Sequence, residues 1–252
     1  MRQQPKEYVE RSYRSRHLGH GLRYFTVKIE QTDLAIGVDQ ESYSSDLLAV
    51  CRNKILALRS ELEGYMKRQT LFKTSFDPVE LLPLAPVHVV LMADAARKAN
   101  VGPMAAVAGT VAQGVGKELQ KYVKEVIVEN GGDIYLNSSH ERVISVFAGE
   151  SQFSHRLGIK VQPQESPLGI CTSSGTVGPS ISLGRADAVV IKGEHAALAD
   201  AVATGAANQV HAPEDVMKAV EYARVIPGVK GVLAIKEDKL AAWGDIELIS
   251  IN

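Results

Sequence analysis

Residues 45–68 carry Leu47, Leu48, Cys51, Ile55, Leu58, Leu62 and Tyr65 at spacings of three and four, with Arg52, Arg59 and Glu63 between them. That period predicts one long amphipathic helix, for which Ser44 or Ser45 is a natural cap. Cys51 lies on the apolar stripe, so its thiol is expected to be buried and inert. Upstream, FTVKIE and DLAIGV read as two short strands around Gln31-Thr32. Downstream, Pro78, Pro83 and Pro86 mark a loop, and a second helix over 87–100 stops before Gly102. Pro103 suits the first turn of a third helix over 103–123. Gly109, Gly114 and Gly116 lie inside that helix. Each costs roughly 1 kcal/mol against alanine there, so each needs close packing or a ligand near the backbone to explain it.

From Lys124 the period changes to two. KEVIVE, DIYLN, RVISVFAG and HRLGIKVQ read as consecutive strands, with turns at Asn130-Gly131-Gly132 and Ser138-Ser139. GICTS and DAVVIKG predict two more strands, followed by helices over 195–210 and 214–224. GVLAIKED and AAWGDIELISI are expected to close the chain as a hairpin. Helices, then a meander, then helices and a hairpin predict an α/β chain of the α+β kind, with a mixed rather than fully parallel sheet. A single domain is expected over 1–252, with room for two lobes whose boundary the pattern does not mark.

Composition narrows the function classes. The chain has 252 residues, 45% hydrophobic and 23% charged. A chain of this size hides about 70–75% of its unfolded surface and needs neither metal nor disulfide to fold. A net charge of −1 gives no general reason to expect nucleic acid or anionic lipid as a partner. The local basic excess of Arg2, Lys6, Arg11, Arg14, Arg16 and Arg23 reads as an exposed arm or a first turn on the body. No apolar run approaches 18 residues and no charged-then-apolar leader is seen, so a cytoplasmic protein without a membrane span is expected. Two cysteines 120 positions apart fit a reducing compartment. The seven histidines show no HxxxH or HExxH pairing, which argues against zinc.

Three stretches could carry chemistry. In VENGGDIYL, adjacent Gly131 and Gly132 permit positive φ and leave backbone amides uncovered, flanked by Glu129 and Asp133. A plain Asn-Gly hairpin turn would use the same residues. In GICTSSGTVGPSISLGRADA, hydroxyls of Thr172, Ser173, Ser174, Thr176, Ser180 and Ser182 interleave with Gly175 and Gly178. Hydroxyls and exposed amides together suit phosphate, with Arg185 able to add charge, though polar surface loops look alike. Cys171 opens this loop, but no basic partner is evident for it as a nucleophile. In ADAVATGAANQV, Asp200, Thr204 and Asn208 lie four apart on one helical face. Their oxygens suit a hard cation such as Mg²⁺, while a solvated polar stripe is the alternative.

Together, GPMAAVAGTVAQGVG, VENGGDIYL, GICTSSGTVGPSISLGRADAV and LADAVATGAANQV resemble, in order, a UPF family related to ApbE, the FAD:protein FMN transferases. TDLAIGV and WGDIEL agree as well, so the resemblance covers most of the chain. It implies an ApbE-like fold with a nucleotide held between two lobes. It implies Mg²⁺ at Asp200 and Thr204, with a backbone carbonyl from Ala112. It places Gly131, Gly132 and Asp133, and Ser173, Ser174 and Gly175, beside bound FAD or FMN. The implied function is that of an ApbE-like protein binding a flavin or another phosphorylated ligand with Mg²⁺. If catalytic, it would be a Mg-dependent flavin- or nucleotide-handling transferase. The alternative is a non-catalytic binding or accessory protein that kept the fold and lost the flavin site. Three departures bear on this choice: Gln113-Gly114 replaces a Lys-Gly pair, TVGPSISLGRADA lacks a His-x-x-Asp-Pro segment, and no Met-Gly-Thr opening is present.

Overall fold

A computed structural model describes residues 21–175 and 183–251. The N-terminal arm up to residue 20, and Thr176, Gly178, Ser180 and Ser182 of the hydroxyl-rich loop, lie outside the described residues. Within them the elements run β1 (Leu22–Ile29), β2 (Thr32–Asp39), α1 (Asp46–Arg68), α2 (Thr70–Thr74), α3 (Val87–Lys98) and α4 (Val107–Leu119). Then come β3 (Val126–Asn130), β4 (Asp133–Asn137), β5 (Arg142–Ser145), β6 (Leu157–Val161), β7 (Leu168–Ser173) and β8 (Ala188–Gly193). The chain continues through α5 (Ala196–Ala207), α6 (Val216–Arg224), β9 (Val229–Lys236), β10 (Lys239–Gly244) and β11 (Glu247–Ser250).

The long helix forms as its spacing predicts: Leu47, Cys51, Ile55, Leu58, Leu62 and Tyr65 are its buried residues. The third helix is shorter than expected. It opens as a 3-10 turn at Pro103–Ala106, becomes α-helical at Val107 and stops at Leu119. Its three glycines are answered by packing. A Cβ at Gly109 would lie 2.3 Å from the Ala196 carbonyl oxygen, and one at Gly116 would lie 2.1 Å from the Tyr135 ring. A Cβ at Gly114 would meet Leu58 of α1 at 2.9 Å.

Two sheets form, with strand orders β1-β2-β3-β4-β7-β8-β9-β10 and β11-β6-β5. Helices and sheets combine as expected, but every described pairing is antiparallel, so the mixed strand directions expected are not found. The expected run of four meandering strands divides. β3 and β4 stay in the large sheet, β5 and β6 leave for the small one, and β7 takes the place beside β4. The closing hairpin divides too: β10 pairs with β9, but Glu247–Ser250 pairs with β6.

Strand parity builds the layers. Val126 and Val128 face the helices, while Ile127 faces the small sheet. Val189 and Ile191 against Ala188 and Val190 repeat the pattern on β8. The large sheet is therefore buried on both sides, which is why its central strands are nearly continuous apolar runs. No described helix is long and apolar enough to cross a membrane.

Candidate functional site

The same parity places the candidate site. Tyr135 packs among the helices, so Asp133, two residues earlier on β4, points to the helical side as well. Cys171 does so on β7, and Ser173 follows it. At this end of the sheet the turn after β3 uses Gly131 and Gly132 at φ of +70° and +105°, which suits residues without a Cβ. Glu129 closes the turn by accepting the Gly132 amide at 2.8 Å. The hairpin turn of this motif forms, and Glu129 spends one oxygen on it.

Opposite lies α5, whose small residues let it sink into the core: every residue from Ala196 to Ala207 except Thr204 is buried. Asp200 consequently faces inward rather than solvent. Its Oδ2 accepts the Gly109 amide at 2.8 Å, in the first turn of α4, and the Ala108 amide supports it too. Amides at this end lack intrahelical acceptors and carry the positive end of the helix dipole, so a carboxylate is well placed there. The contact is reciprocal. Gln113 of α4 accepts the Ala196 amide at 2.8 Å at the start of α5. Gln113 is thus a cap linking two antiparallel helices.

Burial pushes the Asp133 carboxyl well above its ordinary pKa, and the Asp200 charge pushes it further; the Cys171 thiol and Thr172 amide pull the other way. Asp200 is also raised, to about 7, by burial against the pull of the Gly109 and Ala108 amides. Two adjoining buried carboxylates are costly unless they share protons or meet a cation. Around them Asp133 Oδ1, Thr110 Oγ1 and Ser173 Oγ are buried with no hydrogen-bond partner among the described residues. Orphaned oxygens beside paired carboxylates are the donor set of a hard cation such as Mg²⁺. Among the described residues no group of three or more His, Cys, Asp or Glu gathers as a metal centre. Any cation here therefore also relies on hydroxyl or carbonyl oxygens.

Asp133, Asp200, Thr110 and Ser173 open on one cleft of about 1660 Å³. Its lining brings together Gly131, Gly132 and Asp133 with Ser173 and Ser174, and with Asp200 and Thr204. Gly131, Gly132 and Asp133 of one motif and Ser173 and Ser174 of the other thus line the same cleft. Gly175 and Ala112 are not in the lining. Gly175 donates to the Ala186 carbonyl at 2.9 Å, and Ala112 is fully buried in the core one helical turn past Ala108. Asn208 shares the helical face with Asp200 and Thr204 and lines the cleft, but its Oδ1 holds the Leu183 amide at 2.8 Å. Cys171 is fully buried, donates to the Ala196 carbonyl, and has its pKa pushed up by burial and then by Asp133 and Asp200. That environment disfavours a thiolate.

The sequence reading missed Thr110 and His88, both lining this cleft. Thr110 follows Gly109 and could have been suspected as a hydroxyl within the apolar stretch from Val107 to Ala112. His88 carried no local signal. Leu58, Leu62, Met66, Met92 and Met104 form an apolar part of the lining. The lining also carries seven carboxylates, of which Asp33, Glu129, Asp133 and Asp200 are buried, against the three cations Lys28, Arg59 and Lys73.

Comparison with known proteins completes the picture. The profile of a family described as AbpE bacteria matches residues 15–226. A UPF0280 protein of Methanococcus maripaludis is 39% identical over 232 residues, covering 89% of this chain and 92% of its own. A UPF0280 protein of Methanocella arvoryzae is 39% identical over 201 residues, covering 79% and 82%. Among solved structures, the apo form of the flavinyl transferase ApbE of Pseudomonas stutzeri aligns with a TM-score of 0.55. That alignment covers 88% of this chain and 94% of the other at 11% identity. The ApbE protein of Thermotoga maritima aligns with a TM-score of 0.50 over 88% and 97%, at 13% identity. At such identities the likeness is one of fold.

Proposed function

The chain belongs to the family described as AbpE bacteria, a UPF family related to ApbE, and from this we propose that its cleft binds a flavin or other phosphorylated ligand with Mg²⁺. The observation that carries the reading is the buried pair Asp133 and Asp200 beside the orphaned oxygens of Thr110 and Ser173, all lining one cleft. Asp200 and Thr204 would hold the metal, with Asp133 and Thr110 within the same oxygen-rich wall. Ala112 lies in the core and outside the cleft lining, so the implied carbonyl does not carry over to it. Bound there, Mg²⁺ neutralises phosphate charge and orients the ligand. The amides of Gly131 and Gly132 and the hydroxyls of Ser173 and Ser174 would face the ligand across the cleft.

A specific observation favours a second reading. With seven carboxylates against three cations, and with Arg59 already bonded to Glu30 and Glu63, the lining does not by itself attract phosphate. A non-catalytic binding protein that kept the fold and lost the flavin site would show this charge balance. Mass spectrometry of small molecules retained by the natively purified protein separates the two. Copurified flavin supports the first, and an apo protein that captures a different metabolite supports the second.

A further inference from the structure

We infer that His88 is a ligand-recognition residue of the cleft, presenting a proton-free ring nitrogen to an N–H or O–H group on the apolar part of a bound heterocycle. The inference rests on the reading that the cleft takes a small molecule, but it concerns the apolar wall and not the carboxylates. His88 is the second residue of α3 and is 8% exposed. Its Nδ1 lies 3.3 Å from the carboxylate of Glu61 on α1. Glu61 is more than half exposed and is not part of the cleft lining, whereas His88 is. The two nitrogens sit on different edges of the ring, so an Nδ1 turned toward an outward-facing carboxylate leaves Nε2 on the inner side. The cleft that His88 lines is also lined by Leu58 and Leu62 of α1 and by Met92, one turn along α3.

Chemistry then sets the state of the ring. Burial holds the imidazole pKa below its ordinary value; Glu61 pulls it up, Lys54 pushes it down, and a bond to the Leu58 backbone raises it. The neutral form has one proton. Glu61 lies against Nδ1 and attracts that proton there, which leaves Nε2 an acceptor. Nε2 is buried and has no hydrogen-bond partner among the described residues. An acceptor in that condition weakens the fold unless something uses it. Hydrocarbon walls with a single fixed acceptor suit a planar heterocycle carrying one N–H at its edge, and they disfavour the same ring methylated at that nitrogen.

Nitrogen NMR of the full-length protein labelled with ¹⁵N-histidine tests this directly, with His88 assigned by the loss of its signal in His88→Gln. The expected spectrum shows His88 neutral near pH 7 with its proton on Nδ1. Two probe pairs are then titrated: lumiflavin against 3-methyllumiflavin, and uracil against 1,3-dimethyluracil. The donor-bearing member should shift the Nε2 resonance and bind about tenfold more tightly than its methylated partner, a preference that His88→Phe removes. Discrimination within the uracil pair with no lumiflavin binding would overturn the flavin reading and leave His88 in its role. A proton on Nε2, a doubly protonated ring, or no discrimination in either pair, including no binding of either, would overturn the inference.

Discussion

Asp200 reaches across the interface between α5 and α4 to accept the Gly109 amide at 2.8 Å, and position 109 has no room for a side chain. A Cβ there would lie 2.8 Å from the Cβ of Asp200 and 2.3 Å from the Ala196 carbonyl. Closeness of the two helices and the inward position of the carboxylate are therefore one feature. Gly109→Ala gains helix propensity, about 1 kcal/mol, but must push α5 away. It is expected to destabilise the fold by about 1–3 kcal/mol and to weaken Mg²⁺ binding. Denaturant unfolding and calorimetry check both effects.

Asp200→Asn separates charge from shape. The amide oxygen can still accept from Gly109, and removing one of two adjoining buried carboxylates relieves their repulsion. Stability near neutral pH should hold or rise. Mg²⁺ affinity should fall by about tenfold or more, because ligand charge dominates the binding of hard cations. Calorimetric titration of Mg²⁺ with and without FAD, into both proteins, is the measurement. Equal binding by the two would remove Asp200 from the proposed metal site.

Cys171→Ser should leave ligand binding unchanged. The thiol is buried, its pKa is pushed up, and it lies within hydrogen-bond reach of the Ala196 carbonyl and Asp133, which a hydroxyl can also serve. A stability loss of about 1–2 kcal/mol is expected for a polar atom in that packing. Loss of binding in a folded variant would point to thiol chemistry instead.

Acid stability should depend on Glu125, which is buried against Arg142. Burial raises its pKa, but bonds from Ser139, His140, Arg142 and Ser138 outweigh that and hold it at about 2. The folded pKa is thus below that of the unfolded chain. The contribution is complete above roughly pH 4–5, where the unfolded chain ionises, and is lost as pH falls toward 2. Glu125→Gln should cost about 3–5 kcal/mol at neutral pH, because it removes the Glu125 charge from beside a buried guanidinium. It should also flatten the acid limb of a stability-against-pH curve measured by urea unfolding.

Hydrophobic period determined a good deal unaided. The spacing from Leu47 to Tyr65 marked α1, and the change of period after Lys124 marked the strands β3 and β4. The interval between Asp200 and Thr204 placed both on one face of α5. Each of these is a local relation, because backbone geometry links residues one to four positions apart. Tertiary structure alone decided what those faces meet. It sent β5, β6 and β11 to a separate sheet, since an apolar face records that it is covered and not which strand covers it. Contacts across 91 residues from Asp200 to Gly109, and across 27 from His88 to Glu61, depend on how helices dock. No local pattern encodes such a pair. The close approach at Gly109 and the buried environments of Asp133 and His88 arise only when the layers close and water is expelled.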